Sequence, residues 1–138
     1  MDRSTIVSER LVQRSFANTT ASIRAARKFV RDTAAARGAE ATLLDDIELA
    51  ASEIVSNAVE HGSGDEFSIL LTAENGRFAV EVTSGHDGHE LAEPSDWLLP
   101  PKESLNGRGL HLVQAVSASS WLRHDDGTLT IGCHFEYT

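Results

Sequence analysis

The sequence predicts a two-layer α+β sandwich, a mixed and mostly antiparallel sheet with about three helices on one face. Two observations carry this expectation. Two strongly helical segments stand side by side in the first half of the chain, and alternating segments joined by "NG" and "DG" turns follow them. Helices grouped apart from hairpin-linked strands pack as separate layers. The 138 residues suit one domain, residues 1–138, and no internal repeat is evident.

The elements follow in order. Leu11 to Phe16, "LVQRSF", alternates enough for a strand. "ANTT" then offers N-caps at Asn18, Thr19 or Thr20. The segment "ASIRAARKFVRDTAAARG" places Ile23, Ala26, Phe29, Val30 and Ala34 on one helical stripe, opposite Arg24, Arg27, Lys28 and Arg31; Gly38 is a natural stop. A second helix runs from about Ala41 to His61 with Ile47, Ala50, Ala51, Ile54, Val55 and Ala58 inward. Asp65 to Glu74 and Arg77 to Ser84 form a hairpin about Asn75–Gly76, with Phe78, Val80 and Val82 on one face. From Gly85 to Asn106 the chain carries all three prolines and no period, which fits a lid over a ligand. "GRGLHLVQAVSAS" opens a helix with Leu110, Val113, Ala115 and Val116 inward, and a hairpin about Asp126–Gly127 ends the chain.

Composition narrows the function. The net charge of −9 argues against a nucleic-acid binder and permits a basic protein partner. It also requires that any phosphate be held by local donors or a cation. No apolar run approaches the roughly 20 residues of a membrane span, and the N-terminus lacks a signal-peptide centre, so a cytoplasmic protein with no membrane association is expected. A single cysteine, Cys133, permits no internal disulfide and reads as strand packing rather than a nucleophile.

Three patterns carry chemistry. In "SEIVSNAVEHG", Glu53, Asn57 and His61 recur at i, i+4 and i+8, one polar column beside an apolar stripe. Such groups at the rim of a core cost free energy unless solvent, a side chain or a ligand pairs with them. In "NGRGLHLV", Gly107 and Gly109 flank Arg108 just before a helix start, where backbone N–H groups bind anions and glycine allows close approach. In "HDGH", His86, Asp87 and His89 are competent metal ligands, but a fixed fourth ligand is missing and no structural metal is expected. His111, His124 and His134 read as surface or edge residues.

Taken in order, the "ExxxNAxxHG" helix, the hairpin ending "VEVTS", the lid and "GRGLHLV" resemble the GHKL ATPases of histidine-kinase-like, Bergerat-type fold. More closely they resemble the bacterial anti-sigma factor serine/threonine kinases, over about Val12 to Tyr137. The resemblance implies ATP and Mg2+ as cofactors, with Glu53 as general base toward a partner's serine and Asn57 as the magnesium ligand. It assigns His61 and Gly62 to the same box, and Gly107, Arg108, Gly109 and Leu110 to the glycine box at the phosphates. It implies a sigma factor and a STAS-type anti-sigma antagonist as partners, exchanged by phosphorylation of the antagonist. A homodimer is plausible through the N-terminal strand and first helix.

The sequence departs from the family on one side of the site. Where the family places an aspartate that accepts a hydrogen bond from the adenine amino group, this chain has Ser84; Asp87, three residues later, would substitute only if the loop folds back, and both are candidate cofactor-binding residues. Where a threonine usually stands near the start of the last strand, the matching region is "IGCHF", with Gly132 and Cys133. The phosphate side is therefore expected to be intact and the adenine side eroded. A non-enzymatic regulator-binding module on the same fold is the alternative. A fragment related to sensor histidine kinases ranks last, because no phosphoacceptor histidine lies on a dimerisation helix pair.

Overall fold

Period-two apolar patterning puts one face of each strand against one stripe of each helix, and that contact builds the molecule. A computed structural model describes residues 5–7, 11–74, 76–85 and 112–136. The elements are β1 (Thr5–Val7), β2 (Leu11–Ala17), α1 (Ala21–Ala36), α2 (Ala41–His61), β3 (Ser63–Glu74), β4 (Arg77–Gly85), β5 (Ser119–Asp125) and β6 (Thr128–Glu136), and residues 112–116 are helical. The strands form one sheet in the order β1-β2-β3-β4-β6-β5. Every pairing among the described strands is antiparallel, so the sheet is not mixed there. The last hairpin enters in reverse: β6 pairs with β4, and β5 takes the edge.

Both long helices match the sequence expectation closely. Gly38 takes φ of 97°, the left-handed conformation that ends α1 without a Cβ penalty. Thr20 is the N-cap of α1, but its side chain makes no capping bond; Thr19 Oγ1 and Ser22 Oγ lie 3.3 Å apart instead. Ala26, Val30 and Ala34 of α1 are fully buried, as are Ile47, Ala50, Ala51 and Val55 of α2. These alanines let the two helices approach closely. Arg31 then bridges them, 3.0 Å from both Asp45 and Glu48, with Arg27 3.9 Å from Glu48. Exposed pairs of this kind are screened by solvent and add little stability. Their larger consequence is that α2's acids neutralise much of α1's basic stripe.

The core lies between this helix pair and the helix-facing side of the sheet. Phe67, Ile69 and Leu71 of β3, Phe78, Val80 and Val82 of β4, and Leu129, Ile131, Cys133 and Phe135 of β6 are buried there. Full burial of each large apolar side chain is worth about 1.5–3 kcal/mol. In the helix at 112–116, Val113 is buried and Val116 packs on the core, whereas Ala115, expected inward, is exposed. Val113 and Val116 stand one turn apart and define the inward face; Ala115 lies about 100° from Val116 and turns outward.

The opposite face of the sheet carries one fixed aromatic. Trp121 lies across from Gly132 in the β5–β6 register, and its indole occupies the space a Cβ on Gly132 would take. Its Nε1 donates to Glu81 Oε2 at 2.8 Å, and Arg123 Nη1 donates to the same oxygen at 3.3 Å. Gly132→Ala should therefore displace the indole, lower stability by about 1–3 kcal/mol and red-shift tryptophan emission. Urea unfolding followed by fluorescence checks this; an unchanged midpoint would show that the contact tolerates a methyl group.

Candidate functional site

The site is built on the last two turns of α2 and the end of β4. α2 buries its apolar stripe on β4 and β6, which brings the adjacent polar column to the helix–sheet seam. Glu53 is half-buried, Asn57 is 6 % exposed and His61, the last helical residue, is exposed. His61 Nε2 lies 3.6 Å from Glu60 Oε2. The column thus runs from a partly desolvated carboxylate through a buried amide to an exposed imidazole.

Two features mark this column as unfinished by the protein alone. Asn57 Nδ2 is buried and has no hydrogen-bond partner among the described residues. An unsatisfied buried amide costs about 1–3 kcal/mol, so its retention at the core rim asks for a partner beyond the described residues. Burial also holds the Glu53 carboxyl above its ordinary value, and the nearby charge of Glu60 pushes in the same direction.

Gly62 connects the column to the sheet. A Cβ there would collide with Ala58 O and stand 3.0 Å from Ser84 Cβ and 3.1 Å from its Oγ. Glycine is needed for this close approach; its φ of −71° is open to any residue. Ser84 is 6 % exposed and lies on the helix-facing side of β4, next to Phe67 on β3 and Leu129 on β6. Asn57, His61, Gly62 and Ser84 thereby lie toward one end of α2, and Glu53 stands one turn before Asn57 on the same face. Asp87, Gly107, Arg108, Gly109 and Leu110 lie outside the described residues, as do His86, His89, His111 and the lid beyond Gly85. Gly85 itself belongs to β4.

The last strand holds a feature that the "IGCHF" alignment missed. β6 does carry a threonine near its start, Thr130, and it is buried. Its hydroxyl lies 2.7 Å from that of Thr83, on the face turned away from α2. The helix-facing positions of β6 are Leu129, Ile131, Cys133 and Phe135. Cys133 is fully buried, and desolvation pushes its thiol up to about 12, so it is inert packing, as expected. No group of three or more potential metal-ligating His, Cys, Asp or Glu side chains exists among the described residues, and no described helix is long and apolar enough to cross a membrane.

Comparison with known proteins agrees with this fold. A family model, the histidine kinase-like ATPase domain, matches residues 16–131. A solved structure of the RsbU and RsbW domains of Rv1364c from Mycobacterium tuberculosis superposes with a TM-score of 0.67 at 21% identity. That match covers 92% of this chain and 32% of the other, so this chain spans about a third of its length. No curated protein matches the sequence.

The raised Glu53 carboxyl sets a pH dependence. A carboxyl whose folded value lies above its unfolded value favours folding while protonated and loses that contribution as pH rises through the folded value. Glu53→Gln should therefore stabilise the ligand-free protein at about pH 7, and the gain should vanish in acid below about pH 4, where the glutamate is protonated in both states. Urea melts at the two pH values measure it; a gain that persists unchanged in acid would mean that ionisation is not its cause.

Proposed function

The chain belongs to the family of histidine kinase-like ATPase domains, and on that premise we propose that it is an anti-sigma regulatory factor with ATP-dependent serine/threonine kinase activity. Its partners would be a sigma factor, held by direct contact, and a STAS-type antagonist, phosphorylated on a serine. The observation that carries this reading is the buried, unpartnered amide of Asn57, one turn from a carboxylate whose proton affinity burial has raised.

The residues fit a nucleotide and its cation. Asn57 can offer Oδ1 to a hard cation and its amide N–H to an anionic oxygen or a metal-bound water. ATP supplies the phosphoryl group, and magnesium offsets its charge. The chain's own part is positioning and proton handling. Glu53 would accept the proton of the serine hydroxyl as its oxygen attacks, and a raised carboxyl brings the base nearer the operating pH. Gly62 lets the end of α2 close on β4, so that the floor of the site stays fixed. The glycine box at Gly107, Arg108, Gly109 and Leu110 would donate backbone N–H groups and one guanidinium to the phosphates.

One observation favours a second reading. Ser84 supplies no charge at the end of β4, and a charged hydrogen bond is roughly twice as strong as a neutral one. A protein that binds a regulator without using nucleotide would tolerate this exchange.

Thermal stability with and without Mg-ATP separates the two. Under the kinase reading, ATP at a hundred times its dissociation constant adds about 2.7 kcal/mol of stability. Glu53→Ala keeps that shift and abolishes transfer of labelled phosphate to the antagonist. Asn57→Leu leaves the ligand-free unfolding free energy within about 1 kcal/mol of wild type, because the amide has no partner among the described residues, and loses the magnesium-dependent shift. No shift at millimolar ATP leaves the binding module; full transfer by Glu53→Ala removes Glu53 from the role of base.

A further inference from the structure

The face of the sheet turned away from α2 carries a hollow of about 670 Å³. Nothing in the nucleotide reading uses it. Its floor follows from strand register: Thr72, Ala79, His134 and Ser119 stand in one row across β3, β4, β6 and β5. Alanine within that row leaves depth between taller neighbours. Trp121 walls one end of the hollow, and Glu74 with Arg77 lines the other.

The walls are held before anything binds. Trp121 lies over Gly132, and its Nε1 donates to Glu81 Oε2 at 2.8 Å, so the indole is tethered to the sheet. The His134 ring is fixed through Nδ1 by the Ser119 hydroxyl. Side chains ordered in advance lose little freedom when a ligand settles on them.

The chemistry of the hollow selects a cation. An indole attracts cations to its face through its quadrupole. The Glu81 carboxylate beside the ring adds negative charge at the same end. The nearby arginines are already engaged: Arg77 Nε lies 3.7 Å from Glu136, and Arg123 lies 3.3 Å from Glu81 and 3.8 Å from Asp125. Glu74, Glu81, Asp125 and Glu136 stand against Arg77 and Arg123, so the described charges around the hollow leave a surplus of acid. Thr72 and Ser119 add hydroxyl lone pairs at its floor. A guanidinium matches this set, because it stacks on an aromatic ring, offers donors in one plane and asks for no donor in return. An anion would meet the surplus carboxylates, and an apolar group would strip water from the hydroxyls and Glu74 without replacing it. We infer that this hollow docks an arginine side chain presented by a basic protein partner.

Titration of the full chain with N-acetylarginine amide, followed by the Trp121 indole N–H resonance, tests this. Trp121→Phe identifies that resonance by its loss, since Trp97 is the other tryptophan of the chain. The resonance should shift to saturation, and N-acetylcitrulline amide, similar in shape but uncharged, should bind about tenfold more weakly. Glu74→Gln combined with Glu136→Gln should weaken the arginine amide and leave the citrulline amide unchanged; both glutamates are exposed, so the fold tolerates the exchange. Gly132→Ala, which displaces the indole, should weaken the arginine amide as well. Equal binding of the two amides, tighter binding of N-acetylglutamate amide, or no shift up to the solubility of the probe would overturn the assignment. So would a Trp121 resonance that moves with protein concentration alone, which would place a second copy of the chain in the hollow.

Discussion

The packing of α2 on β4 and β6 is the constraint from which the rest follows. A helix that buries one stripe on a sheet must bring its flanking residues to the seam. In α2 those flanks include Asn57, driven to 6 % exposure by Ile54, Val55 and Ala58 beside it. The protein thereby carries an unsatisfied amide at the edge of its own core. Stability alone would favour an apolar side chain there, because an unpaired buried amide costs folding free energy.

The same packing sets the electrostatics. The seam removes water from Glu53, and the close approach at Gly62 holds the helix end against Ser84. Desolvation then raises the proton affinity of the Glu53 carboxyl. A chain of net charge −9 has no general attraction for polyphosphate. Any polyphosphate would have to be held by local donors or a cation. Meanwhile α1's cations Arg27 and Arg31 are engaged by Asp45 and Glu48, and they strengthen the helix layer rather than offering a basic surface.

The far face of the sheet follows a separate logic. Trp121 fills the hollow over Gly132 and is tethered to Glu81, which in turn binds Arg123. Among the described residues no helix packs on this face, and Trp121 with the Glu81–Arg123 pair covers part of it. The Thr83–Thr130 bond on the same face joins β4 to β6 and holds in register the strand end that carries Ser84.

The sequence by itself determined the local elements. The apolar stripes of α1 and α2, the stop at Gly38 and the hairpin turns near Gly76 and Gly127 are short-range consequences of side-chain periodicity and of glycine's backbone freedom. The Glu53–Asn57–His61 column was legible for the same reason: helical spacing fixes which residues share a face. Tertiary structure decided what periodicity cannot contain. Residues five positions apart or sixty apart are equally near once strands pair, so the β1 edge strand, the placement of β6 between β4 and β5, and the outward turn of Ala115 came only with the fold. So did the meeting of Gly62 with Ser84 and the pairing of Thr83 with Thr130, because antiparallel register depends on the whole sheet and no local rule encodes it.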